Sequence, residues 1–166
     1  IMRQYWSGGG NWSVKAIGEI ESPYERKLGV PKQATIGSEA EGNPCREGLV
    51  RVYPEYRDAL LGLGDFDYVW VITMMHLNSG FNLQVVPQPA HDAVGKPPGA
   101  VGLFCTRAPH RPNPIAMSAL KVSRVEQQRG VIVVEGIDLL DGTPVLDVKP
   151  YVPAFDAFPG AAAGWM

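Results

Sequence analysis

Arg107, His110, Arg111 and Asn113 are interleaved with Pro109, Pro112 and Pro114. Each proline fixes its own φ, biases the residue before it toward extended geometry and offers no N–H. The segment 106–114 is therefore predicted as a rigid loop between two strands, presenting cations and an amide. A guanidinium fork suits a phosphate or a carboxylate. Taken alone, Arg107 and Arg111 are equally compatible with plain solvent exposure.

Other polar groups compete for attention. Asp138 lies between Ile137 and Leu139, where a carboxylate needs a partner. Asp141 precedes Gly142 and reads as turn chemistry. Asp147, Lys149 and Tyr151 occupy alternate positions and share one strand face, with the first two suited to an ion pair. His76 leaves an apolar run, either as a satisfied core histidine or as a ligand. The sequence holds no Walker loop, no complete Gly-x-Gly-x-x-Gly and no nucleophile elbow. His76, His91 and His110 are too scattered for a zinc site.

The elements that must position these groups are short. Val14–Glu21 and Leu49–Tyr53 read as strands, separated by a polar, turn-rich stretch at 22–48 of the length that usually serves a function. Pro54 opens a helix to about Leu61, with the proline where its missing N–H costs little. Phe66–Met75 is apolar, aromatic and β-branched, a buried strand. Residues 79–98, with Pro87, Pro89, Pro97 and Pro98, form a second loop. Ile115–Val125 alternates imperfectly, which predicts a bulge near residue 119. Val131–Val134 is apolar throughout, as in a strand covered on both faces. Asp141-Gly142 predicts a hairpin. Residues 1–13 read as a flexible lead-in and 157–166 as a frayed tail.

Composition sets the frame. A chain of 166 residues with 45% hydrophobic and 19% charged residues suits one soluble domain. Fifteen prolines and nineteen glycines favour short strands and turns over long helices. The expected fold is mainly β: a single barrel-like domain with one or two short helices and long loops. No apolar run approaches the length of a membrane span. Cys45 and Cys105 form no metal spacing, and a reduced intracellular compartment is the simpler reading. A net charge of −2 gives no general pull toward nucleic acid, so such a partner needs a local basic patch.

The chain resembles the TsaA/TrmO (YaeB-like) family of S-adenosylmethionine-dependent tRNA methyltransferases. The resemblance rests on Ile17–Tyr24 (IGEIESPY), Gly102–Arg107 (GLFCTR), Arg111–Ile115 (RPNPI), Ile137–Val145 (IDLLDGTPV) and Asp147–Tyr151 (DVKPY). These motifs span about residues 14–156 in the family's order. The resemblance implies a barrel-type methyltransferase domain rather than a Rossmann-like one, acting as a cytoplasmic homodimer. It implies methylation of N6 of threonylcarbamoyladenosine at position 37, beside the tRNA anticodon. S-adenosylmethionine would contact Ala34, Thr35, Ile36, His76, Leu77, Asn78, Arg107, Met117, Gly136, Ile137 and Asp138. Because a sulfonium is already electrophilic, no metal is required by this chemistry. Asp138 is the expected proton acceptor and Asn113 the reader of the adenine edge, since asparagine pairs naturally with N6 and N7. Arg111, Asn113, Lys149 and Tyr151 are expected to hold the RNA. The chain departs from the family pattern at Ala116, where glycine is typical, and at Leu77-Asn78, which replaces a more polar pair. A small C-terminal domain of longer relatives is absent from this sequence. A non-enzymatic β-barrel module binding an adenine nucleotide or RNA is the alternative.

Overall fold

In the computed structural model, residues 13–26, 30, 46–87 and 99–165 are described. Alternating burial along β1 (Gly18–Glu21), β2 (Glu47–Val52) and β3 (Tyr68–Met74) puts every second side chain on a common interior. Two short strands, β4 (Gln84–Val85) and β5 (Val101–Gly102), pair as a separate ribbon. β6 (Ile115–Glu126), β7 (Val131–Glu135) and β8 (Pro144–Pro150) complete the set. Six strands close into a barrel in the order β1-β2-β7-β6-β3-β8. All pairings are antiparallel, with β8 returning to β1 through Gly18 and Glu19. Closure removes the exposed edges that an open sheet must protect.

The interior is filled by Ile20, Val50, Val52, Val69, Val71, Leu120, Ile132, Val134 and Val145. β7 is buried at Val131, Ile132, Val133 and Val134, as its uninterrupted apolar run predicts. Burial of each such side chain contributes about 1.5–3 kcal/mol relative to exposure.

Strand order gives the barrel two ends. At the lower end the chain leaves β2, runs through a 3-10 helix at Pro54–Leu60 and enters β3. β2 and β3 face one another across the ring, so this connector crosses beneath the barrel and buries Leu60 there. β6 and β7 are joined by a tight turn at the same end, Gln127–Gly130. At the upper end β7 hands on to β8, again its opposite strand. Residues 136–143 therefore cross over the top, with Ile137 and Leu139 buried in the core. Two other long connections also leave the upper rim, 22–46 and 75–114.

Four sequence expectations change here. Asp141-Gly142 does form a turn, with Gly142 at φ 69° and the Thr143 amide donating to the Leu140 carbonyl. It is no hairpin, because its flanking strands are not neighbours. The irregularity in β6 lies between Val122 and Arg124, not near residue 119. Both faces of β6 are apolar at its start, and Ile115 and Met117 are 46% and 54% exposed on the outside. That outward apolar pair mimics a slip in register. The first strand is also shorter than Val14–Glu21, and the helix at Pro54 is of the 3-10 type.

Candidate functional site at the upper rim

Most residues with chemistry converge on the upper rim. Ala34, Thr35 and Ile36 lie outside the described residues, in the connection from β1 to β2. His76, Leu77 and Asn78 follow β3, while Arg107, Arg111 and Asn113 precede β6. Because β3 and β6 are paired, the two segments start side by side, Met74 opposite Ile115. The pairing continues past the strands, the Met75 amide donating to the Pro114 carbonyl at 2.7 Å, and the loop turns locally into β6, the Ile115 amide donating to the Asn113 carbonyl at 2.8 Å. His110 Nδ1 lies 3.3 Å from the Ser79 carbonyl oxygen. His76 and Leu77 are exposed and Asn78 is half-buried.

The loop 103–111 is held by its own polar groups. Thr106 Oγ1 donates to the Leu103 carbonyl at 2.8 Å and accepts from the Ala108 amide at 3.3 Å. Arg111 Nη1 donates to the carbonyls of Thr106 (2.9 Å) and Ala108 (3.4 Å). Its guanidinium also stands 5.5 Å over the Phe104 ring. Arg111 is therefore first a clasp that shapes the loop, with only its remaining donors available to a ligand. Arg107 and Asn113 are exposed. From the far end of the chain, Trp165 Nε1 donates to the Cys105 carbonyl at 2.9 Å. The tail thus docks on this loop instead of fraying. Cys105 itself is an exposed free thiol.

The crossing segment 136–143 brings the carboxylate. Gly136 takes φ 76°, and the amides of Gly136 and Ile137 both donate to the Arg46 carbonyl. A side chain at Gly48 would come within 3.0 Å of Ile137, so that glycine lets the crossing segment lie close on β2. Asp138 finds the partner its apolar neighbours demand: Ser118 Oγ donates to its Oδ1 at 2.8 Å. Ser118 is buried on β6, directly after Met117, which faces outward opposite Ile72. Asp141 performs turn chemistry and anchors the crossing to β1, its Oδ1 accepting from the Ser22 amide at 3.0 Å. Ser22 Oγ in turn donates to the Leu139 carbonyl at 2.7 Å.

Lys149 and Tyr151 are not brought to this rim. They lie on the outer wall toward the lower end, with Lys149 opposite Trp70. Lys149 Nζ pairs with Asp147 Oδ2 at 2.8 Å. The Tyr151 ring packs 5.5 Å from that of Trp70 and 6.1 Å from that of Tyr68. Sequence reasoning did not single out Ser118, Thr73 or Trp165. The first two carry a legible signal, a hydroxyl at an inward position of an apolar strand. Trp165 carries none, because its contact spans 60 residues.

The upper end thus carries exposed apolar side chains (Leu77, Ile115, Met117), an exposed guanidinium at Arg107 and a carboxylate bonded to an inward serine. That set suits a ligand carrying a flat ring, a cationic centre and an anionic group. Among the described residues no group of His, Cys, Asp or Glu is placed to hold a metal ion, and no helix is long and apolar enough to cross a membrane.

Residues 19–157 match the family described as tRNA-methyltransferase O N-terminal domain. The chain is 35% identical over 148 residues to a mouse tRNA (adenine(37)-N6)-methyltransferase, covering 89% of this chain and 32% of that protein. It is 35% identical over 152 residues to a probable S-adenosyl-L-methionine-binding protein of Pyrococcus abyssi, covering 92% and 74% respectively. The crystal structure of TrmO from Pseudomonas aeruginosa superposes with a TM-score of 0.71 at 34% identity, covering 93% of this chain and 62% of that one. This chain spans about a third of the mouse relative's length.

Proposed function

The chain belongs to the tRNA-methyltransferase O N-terminal domain family, and on that premise we propose that it methylates N6 of a tRNA adenine. The acceptor in this reading is threonylcarbamoyladenosine at position 37, beside the anticodon, and the methyl donor is S-adenosylmethionine. The observation that supports the proposal is that the segments His76–Asn78, Arg107–Asn113 and Gly136–Asp138 all connect strands at one end of the barrel, where β6, with Met117, begins. Residues 14–156 form the methyl-transferring unit, working in the cytoplasm.

The rim residues fit the donor. Leu77, Ile115 and Met117 offer apolar surface for its adenine, Arg107 a guanidinium for its carboxylate, and Asp138 a negative charge for its cationic end. Bound S-adenosylmethionine supplies a methyl group on a sulfonium, an electrophile that needs no activation by the protein. The chain's residues then have three tasks. The proline-locked loop positions the acceptor, with Asn113 on the adenine edge; alignment of this kind is worth about 7–11 kcal/mol. The exposed apolar side chains exclude water. Asp138 would take the proton that leaves N6 as that nitrogen is methylated.

A second copy of the chain completes the reading. Leu77, Phe81, Leu83, Phe104, Ile115 and Met117 are all exposed large hydrophobic residues from one stretch of chain, and surface of that kind is characteristic of an interface. Sedimentation at working concentration gives a dimer; an active monomer contradicts it. The function is tested by methyl transfer onto threonylcarbamoylated and unmodified tRNA. Transfer to the modified RNA is expected. Transfer to neither, with the donor still bound in calorimetry, leaves a binding module and rules out this substrate.

A further inference from the structure

Three serine or threonine side chains are buried among the described residues, Thr73, Ser118 and Thr143. All three belong to the upper half of the barrel. Ser118 faces inward with Leu120, and across the β3–β6 ladder it stands opposite Val71. The inward positions around it are filled by Val69, Val71 and Leu120, so nothing in the packing calls for a hydroxyl. A buried hydroxyl weakens a core unless it is bonded. Alanine, present nearby at 116 and 119, would serve the packing as well. What the hydroxyl does is donate to Asp138 Oδ1 at 2.8 Å. An ionised carboxylate is an acceptor only, so the direction of this bond is fixed whenever Asp138 is charged.

We infer that Ser118 is a positioning residue for the proposed methyl transfer, holding one oxygen of Asp138 from inside the barrel. That bond fixes the place of the carboxylate that takes the proton leaving the acceptor nitrogen. Asp138 lies on the connector between β7, which ends at Glu135, and β8, which begins at Pro144. A bond to a strand of the barrel wall therefore transfers the wall's rigidity to a carboxylate carried by a connector. Group positions must be held to a fraction of an ångström for such chemistry. The inference rests on the reading of Asp138 as proton acceptor, and its test separates the two.

The test compares wild type, Ser118→Ala, Ser118→Thr and Asp138→Asn in single-turnover methyl transfer with threonylcarbamoylated tRNA. Ser118→Ala is expected to lower kcat about tenfold, with KM for tRNA and donor affinity by calorimetry changed less than about threefold. Threonine, which keeps the hydroxyl and suits a strand, restores most of the rate. A purely structural role predicts loss of folded protein with kcat per folded molecule intact, and that result overturns the inference. So does a Ser118→Ala rate equal to wild type. An inactive wild type, or an Asp138→Asn variant with full activity, overturns the reading of Asp138 instead. A readout independent of turnover is the crystal structure of Ser118→Ala. The Asp138 carboxylate is expected to leave its place, and one that keeps it refutes the positioning role.

Discussion

At the lower end, Pro54–Leu60 carries the chain from β2 to the opposite strand β3 and buries Leu60. At the upper end, residues 136–143 make the equivalent crossing from β7 to β8 and bury Ile137 and Leu139. Both connectors plug a barrel that would otherwise be open to water, and each does so with aliphatic side chains. They differ in what else they carry. The lower plug is packed among tight turns, and Arg57 reaches from it toward the Gln128 carbonyl. The upper plug sets Asp138 against a buried serine and lies beside loops that expose Leu77, Phe104, Ile115 and Met117. The interior follows the same gradient: along β3 it runs Val69, Val71, Thr73, and along β6 Leu120, Ser118, Ala116. One end of the barrel is built for stability, and the other gives up some apolar packing for polar groups.

Substitutions at the two ends should therefore separate activity from stability. The largest effect is expected for Asp138→Asn: methyl transfer falls on the order of 100-fold or more, while the thermal midpoint moves by a few degrees at most. A fully active variant would remove the functional half of the contrast. Gly130→Ala probes the lower end. Gly130 has φ 67°, and a Cβ there would lie 2.6 Å from the Val52 carbonyl oxygen. Left-handed backbone alone costs an L-residue about 1–2 kcal/mol. The urea midpoint should fall clearly, with kcat per folded molecule unchanged.

Thr73→Val sharpens the interior gradient. Thr73 is fully buried, and its Oγ1 has no hydrogen-bond partner among the described residues. An unsatisfied buried group costs about 1–3 kcal/mol, so valine should raise the urea midpoint by roughly 1 kcal/mol of stability. A drop would show that the hydroxyl is bonded in solution.

The smallest effect concerns the outer wall. A hydrogen bond from Arg124, with Arg129 adding to it, holds the Glu126 carboxyl below the usual carboxylate range. Lys121, then Ser123, do the same for Glu135. A carboxyl whose pKa is lowered by folding stabilises the protein above its unfolded pKa. That contribution disappears as pH falls through the folded value. The two carboxylates are half-buried, but their cationic partners Arg124, Arg129 and Lys121 are solvent-exposed and the pairs are screened. Glu126→Gln should therefore flatten the acid side of the stability–pH curve, below the ordinary carboxylate range, only slightly, and high salt should abolish the difference. A large change at neutral pH would contradict the exposed character of this wall.

The barrel's strands were legible in the sequence because strand preference is local: the β-branched and aromatic run Phe66–Met75 and the unbroken run Val131–Val134 each signal a buried strand by their own residues. The rigid loop 106–114 was legible for the same reason, since proline acts on its own residue and the one before it. The barrel itself was expected from the sequence and is observed, but the order of strands around it, and with it the opposition of β7 to β8, was not legible. Pairing partners lie tens of residues apart, and a turn such as Asp141-Gly142 looks the same whether it joins neighbouring strands or crosses a barrel. The outward apolar residues Ile115 and Met117 misplaced the bulge, because a pattern of side chains cannot say which apolar face is covered.

Family membership and the roster of polar residues therefore came from the chain itself, as did the demand that Asp138 have a partner. The identity of that partner was decided by tertiary structure. Ser118 precedes Asp138 by 20 residues and meets it only because a barrel-crossing connector lands beside β6. The same closure turned Arg111 inward on its own loop, docked Trp165 on Cys105 and left Lys149 and Tyr151 on the outer wall. Local backbone and burial preferences act over a few residues and can be read in order; contacts between distant segments depend on how the ring closes.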